Sequence, residues 1–335
     1  MTRRATVWFV MTVSFLLLLW LSLFTGTVDI PLADSFEVLT GGEASKPVWK
    51  FIILELRVPM AITAALTGAS LSIAGLFLQT TFNNPLAGPS ILGVSTGASL
   101  GVAVAVLACA GVFDATSASI VGALVGAAIV IIILLGFSSL VRSGLMLLIV
   151  GIMISYLTSS VISWLNFYAT QEGVHSYVVW GLGNFSSVGL DSLGLYSLVN
   201  ILLLLFSFLM VKPLNAFLLG ERYAANIGTN VMRNRNLILI MSGVLIAVTT
   251  AFCGPIGFIG LAVPHIVRLG WKTSNHKILI PATILTGAVT GLLTLCLSLL
   301  PGDRGMLPVN AVTPLIGVPV VFYIILNRKK ISYFN

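Results

Sequence analysis

Apolar residues run along this chain in blocks of about twenty, the length a helix needs to cross a bilayer, and polar residues gather in the short intervals between blocks. Blocks such as "FLLLLWLSLF" and "LVNILLLLFSFLM" lack the apolar–polar alternation of a barrel strand, so they predict helices that are apolar all round. Ten such blocks lie near 6–26, 59–81, 91–112, 117–137, 144–168, 192–211, 237–254, 256–270, 279–300 and 309–326. Composition agrees: the 335 residues are 58% hydrophobic and 8% charged, with a mean hydropathy of +1.08, outside the range of soluble domains.

The pattern predicts an all-α integral membrane protein of ten transmembrane helices, forming a single transmembrane domain over 1–335. The first block follows "MTRR", but its apolar run from Val7 to Phe24 exceeds a signal-peptide core and no Ala-x-Ala site follows, so it reads as a true span. Cys109, Cys253 and Cys296 lie within or at the ends of blocks, and an odd trio so placed suggests neither a disulfide framework nor a metal cluster.

Charge sets the orientation. With both termini cytoplasmic, 13 of the 17 basic residues fall in inner segments with only Glu221 as an acid, giving 13 − 1 = +12; the outer segments give 4 − 9 = −5. An odd number of spans would spoil that separation. The net charge of +7 is therefore a topology signal, and the scattered basic residues carry no nucleic-acid motif.

Two interruptions stand out. The second block ends in "NNPLAGP" and is followed by the small-residue run "SILGVSTGASLG"; the seventh ends in "CGPIGFIGLAVPHIVRLG". Each is a long span, a Gly/Pro break and a shorter span, in opposite orientations, which suggests an inverted repeat. At the first break, Pro85 and Pro89 remove backbone donors, and Asn83 and Asn84 are the candidates to replace them. The plainer alternative is a tight turn at the membrane surface. Gly97 and Gly101, Gly122 and Gly126, and Gly287 and Gly291 have small-xxx-small spacing, for which close helix packing is a sufficient reason.

No catalytic constellation, metal site or phosphate loop is present in the sequence, so any ATP must be bound by another chain. His265 in "VPHIVR" reads as a packing residue. In the fifth block Ser155, Ser159, Ser163 and Asn166 recur on one helical face, which fits either a pathway lining or hydrogen-bonded helix packing. The longest inner loop, "KPLNAFLLGERYAANIGTNVMRNR", is too apolar for a solvated connection; it predicts one or two short helices that dock a cytoplasmic partner, or else lie on the membrane. On the outer side Arg57 and Arg304 stand among acids and are candidates for pairing with an acidic partner.

The stretches "LRVPMAITAALTGASLSIAGLFLQTTFNNPLAGPSILGVSTGASLG", "VVWGLGNFSSV", "LLGERYAANIG", "GPIGFIGLAVPHIVRLG" and "LPVNAVTPLIGVPVVFYIIL" resemble, in order and over nearly the whole chain, the FecCD-type permeases of ATP-binding-cassette importers for iron chelates (siderophore or haem) and cobalamin. The resemblance implies a homodimer in the bacterial cytoplasmic (inner) membrane, working with a cytoplasmic ATPase dimer and an extracytoplasmic substrate-binding protein. ATP would be used by the partner, with no cofactor on this chain. It implies ATPase coupling within about 212–236 through Gly220, Glu221, Arg222, Ala225 and Gly228, and an inner gate at Ser143, Gly144 and Leu145. Binding-protein docking would fall to Arg57, the first position of an Arg-x-Pro-Arg pattern whose second position here is Met60, with Arg304 as the candidate replacement. Met306 stands where a Glu often precedes the final "LP".

The sequence thus predicts a non-enzymatic permease subunit, with an iron chelate as the first expectation for cargo on family breadth and cobalamin as the alternative. The rival is an ion-coupled secondary transporter. It would need an intramembrane carboxylate, yet all ten acids fall in predicted loops or at span ends.

Overall fold

The computed structural model describes residues 3–108, 115–141, 144–302 and 305–326, and these are helical with no strand among them. The helices are α1 (Arg3–Phe24), α2 (Leu32–Leu39), α3 (Pro47–Phe51), α4 (Val58–Thr81), α5 (Val94–Ala103), α6 (Ala115–Leu140), α7 (Gly144–Tyr168), α8 (Gln171–Gly181), α9 (Leu190–Phe206), α10 (Val211–Phe217), α11 (Glu221–Asn226), α12 (Val231–Cys253), α13 (Ile259–Trp271), α14 (His276–Ser298) and α15 (Val309–Leu326). Each of the ten expected blocks carries a helix. Seven are long and apolar enough to cross a membrane, and the runs Val94–Leu107, Ile259–Trp271 and Val309–Tyr323 are shorter apolar helices.

Small residues decide what lies at the centre. In α4, Gly, Ala, Ser and Thr let neighbouring backbones approach closely, and most of the helix is buried. A Cβ on Gly68 would collide with the Gly287 carbonyl of α14, and one on Gly75 with the Gly260 carbonyl of α13. The second tight pair joins α5 to α6, where Gly97 and Gly101 face Gly126 and Gly122. The three small-xxx-small pairs of the sequence thus sit at two helix crossings, and packing accounts for them. By contrast α1 lies on the outside of the bundle, packed mainly on α14 and meeting α13 through the edge-on contact of Trp8 with Trp271 (5.1 Å between centroids).

The two interruptions have the same order of parts. In the first, the 24-residue α4 ends in a turn and a 3-10 segment (Pro89–Leu92) before the 10-residue α5; in the second, the 23-residue α12 stops at Gly254 before the 13-residue α13. Gly93 and Gly254 have φ of 78° and 77°, which only glycine adopts without strain. A side chain from elsewhere holds each break. At the second, Asn310 of α15 donates through Nδ2 to the carbonyls of Gly181 (3.0 Å) and Pro255, while its Oδ1 accepts from the Gly257 amide (3.3 Å).

Candidate functional site

The first break is a junction between two helices. On one side its 3-10 segment lies against the start of α7: a Cβ on Gly151 would stand 2.6 Å from the Ile91 carbonyl, and one on Gly144 would touch the Phe82 ring at 3.0 Å. On the other side it meets α13, where a Cβ on Gly260 would be 2.5 Å from the Pro89 ring. The donor at the break comes from far away in sequence. His265 Nε2 donates to the Pro85 carbonyl at 2.7 Å, whereas Asn84 Oδ1 accepts from the Leu86 amide (2.9 Å) and Asn83 sits at a φ of 46°. The sequence expectation that the asparagines supply that donor is corrected: an Asn at such a turn serves its own backbone first.

A buried chain of hydrogen bonds runs from the same junction to the inner loop. Arg268 of α13 donates to Gln79 Oε1 (2.9 Å) and to Thr80 Oγ1 (3.1 Å), and Gln79 Nε2 donates to the Leu261 carbonyl (3.1 Å). Thr80 then meets His276 Nε2 at 2.9 Å, and His276 Nδ1 meets Asn215 Oδ1 at 2.9 Å. The Asn215 oxygen can only accept, so Nδ1 carries the proton and Nε2 accepts from Thr80. Asn215 lies on α10 and also binds the His276 amide (2.9 Å) and Asn275 Oδ1 (3.1 Å). Gln79, Thr80, Arg268 and His276 are buried. Each of these links pairs a donor with an acceptor, so the chain ties the inner loop to the ends of α4 and α13.

The inner loop folds as two short helices, as its pattern predicts. Leu214, Ala216, Phe217 and Ala224 are buried beneath it, while Leu219, Tyr223 and Ile227 are 62%, 52% and 55% exposed. Tyr223 and Ile227, four apart, share one side of α11 and its last turn, whereas Leu219 precedes Gly220, where the chain enters that helix. Gly220 (φ 90°) and Gly228 (φ 85°) bracket α11 with nothing within 4 Å of an added Cβ, so conformation is what requires glycine there. Arg222 and Ala225 are exposed and Glu221 is half-buried. Arg235, a turn into α12, is 3% exposed; its Nε donates to Ser138 Oγ (3.2 Å), one terminal nitrogen donates to the carbonyls of Ser138 and Val141, and the other lies 3.7 Å from Glu221 Oε1.

The polar stripe of α7 divides. Ser155 is half-buried and accepts from Thr96 Oγ1 of α5 at 3.3 Å, so packing explains it. Ser159 and Ser163 are exposed, and Asn166 is half-buried with an Oδ1 that has no hydrogen-bond partner. Ser155 and Ser163 donate to carbonyls four residues back, at 3.0 Å each, so on the exposed Ser163 the hydroxyl proton is held by its own helix. Leu145, beside Gly144 at the start of α7, is 60% exposed. Ser143 and Arg304 lie outside the described residues.

Arg57 is at the opposite end of the molecule from the inner loop, but it is only 5% exposed. Its guanidinium donates to the carbonyls of Leu23 (3.1 Å), Phe24 (3.0 Å) and Val28 (2.6 Å). Leu23 and Phe24 are orphan acceptors of the last turn of α1, and Val28 lies in the segment that follows it. The expected docking arginine is, in this chain, a cap on the first helix.

Sequence reasoning missed Asn215, His276, Gln79 and Arg235. Their partners lie between roughly 60 and 200 positions away, and no local spacing announces them.

Comparison with known proteins covers nearly the full chain. The sequence pattern of the FecCD transport family matches residues 14–327. A vitamin B12 import system permease protein, BtuC, of Klebsiella pneumoniae is 32% identical over 332 residues, spanning 98% of this chain and 96% of that one. The protein of the same name from Shigella boydii is 33% identical over 323 residues, 96% and 94% of the two chains. Among solved structures, one described as an inward-facing conformation of a metal-chelate type ABC transporter superposes with a TM-score of 0.84 at 28% identity, covering 97% and 99%. PsaBC from Streptococcus pneumoniae, at 21% identity and a TM-score of 0.52 over 80% and 90%, shares the fold.

Proposed function

This chain belongs to the FecCD transport family as a multi-pass permease subunit of an ABC importer in the bacterial cytoplasmic membrane, and we propose that its cargo is a corrinoid of the cobalamin class. The observation that carries the choice is the relatives named for vitamin B12 import, matched end to end at 32–33% identity. They favour cobalamin over the iron chelate expected from family breadth alone. An iron chelate stays as the second reading because the structural relative at a TM-score of 0.84 is of metal-chelate type.

The passage is built between two copies of the chain. α7 packs on α5 and α6, whereas α15 packs on α13 and α14, so the two helices expose different sides of one subunit. Met153, Trp164 and Phe167 of α7 and Leu315 and Phe322 of α15 are each more than 60% exposed, and lipid and a second copy would cover them. Ser159, Ser163 and Asn166 line the passage, and their neutral hydroxyl and amide groups hold a bulky cargo weakly enough to release it. Gly144 and Leu145 form the described part of the inner gate. Loaded binding protein meets the outer face, with Arg304 as a docking residue, and the ATPase pair seats on α10–α11 through Leu219, Tyr223 and Ile227 beside Gly220, Glu221, Arg222, Ala225 and Gly228. No covalent chemistry occurs on this chain; ATP is hydrolysed by the partner.

Uptake into proteoliposomes holding this permease, its ATPase and its binding protein decides the cargo. Cobalamin is expected to enter, with ferric siderophore and haem excluded. Uptake of ferric siderophore or haem with cobalamin excluded would replace the corrinoid reading with the iron-chelate one.

A further inference from the structure

We propose that Arg235 is the strut through which α11 moves the inner gate. The inference rests on reading α10–α11 as the ATPase seat, and it adds the physical connection between that seat and the passage.

Four contacts carry it. Arg235 is buried at the start of α12, between α11 and the last turn of α6. Toward α6 its guanidinium serves the Ser138 hydroxyl and the carbonyls of Ser138 and Val141, and the adjacent Asn236 accepts from the same hydroxyl at 2.7 Å. Toward α11 it stands 3.7 Å from the Glu221 carboxylate, the first residue of that helix. In the sequence Val141 stands three positions before Gly144, the first residue of α7, and four before Leu145. One side chain therefore holds both the first residue of α11 and the helix end from which the gate begins.

The residue type suits the task. The last carbonyls of a helix lack intrahelical partners and attract a cation. A guanidinium presents five donors in a planar fork, so it can fill several acceptors on one side and still face a carboxylate on the other. An ammonium is a compact point charge and cannot span that arrangement. Glu221 keeps 35% of its side-chain surface exposed in the free subunit. Seating a partner on α11 would exclude that water, lower the local dielectric and tighten the ion pair. A displacement of α11 would then be passed through Arg235 to the end of α6.

The test uses the complete transporter in proteoliposomes and reads cargo taken up per ATP hydrolysed, with ATPase co-purification and thermal melting as controls. Arg235→Gln and Glu221→Gln are each expected to lower uptake per ATP about fivefold or more, and the double variant no further than the worse single one. Arg235→Lys is expected to fall between wild type and Arg235→Gln. If Arg235→Gln does not fold, Glu221→Gln and Arg235→Lys carry the test, since Glu221→Gln leaves the hydrogen bonds to α6 in place. Wild-type uptake per ATP in Glu221→Gln, or effects that simply add in the double variant, would overturn the strut. So would loss of the ATPase from Glu221→Gln, which would make Glu221 a docking contact. Failure of the wild-type chain to retain the ATPase would instead overturn the reading of α10–α11, and the strut with it.

Discussion

Arg57 shows how far one buried cation can depart from the role its position suggests. Three backbone carbonyls surround its guanidinium at the end of α1, and a second arginine is replaced by Met60, itself 8% exposed. Replacing Arg57 with Leu removes donors from those carbonyls, a cost of about 1–3 kcal/mol where water cannot fully take over. Arg57→Leu is therefore expected to lower the melting temperature of the purified protein while leaving its affinity for loaded binding protein within error of wild type. A large loss of that affinity in a protein of unchanged stability would assign Arg57 to docking after all. Burial also explains why such residues escape sequence reading. Arg57, Arg235 and Arg268 entered the charge count as surface topology markers, yet each is under 10% exposed and satisfied by partners distant in sequence.

At the scale of elements, the helices were legible because apolar runs of span length have few alternatives in a bilayer. The breaks were legible too, since Pro85, Pro89 and Gly254 cannot continue a helix without cost. What holds the breaks was not. His265 and Asn310 come from the far half of the chain, and nothing near "NNPLAGP" or "CGPIG" points to them. The inner loop is the intermediate case: its two short helices follow from its apolar pattern, but the division into buried Leu214, Phe217 and Ala224 and exposed Leu219, Tyr223 and Ile227 needed the fold. If those three seat the ATPase, Leu219→Asp with Tyr223→Asp should weaken its co-purification about 30-fold or more, as loss of an apolar hot spot does. The exposed Ser160 of α7, changed to Ala, should leave association intact. Equal retention of the ATPase by both proteins would place the contact elsewhere.

Across the whole molecule, the buried hydrogen-bond chain and the Arg235 contacts converge on one end, where α4, α6, α10, α11, α13 and α14 begin or finish. The inside-positive charge pattern predicts that end to be the cytoplasmic one. A passage moved from there by ATPase partners needs no titratable group within the bilayer, and the acids among the described residues lie in loops, short helices or at the first turns of helices, with Glu55 in the π-helical turn ahead of α4. A secondary transporter built on similarly interrupted helices would need such a group to couple an ion gradient. The decisive measurement is cargo uptake into proteoliposomes with binding protein present, comparing vesicles with the ATPase and ATP against vesicles lacking the ATPase but carrying a proton or sodium gradient. Uptake should occur only with the ATPase and ATP and be indifferent to the gradient. Uptake driven by the gradient in the absence of the ATPase would contradict an ATP-coupled permease.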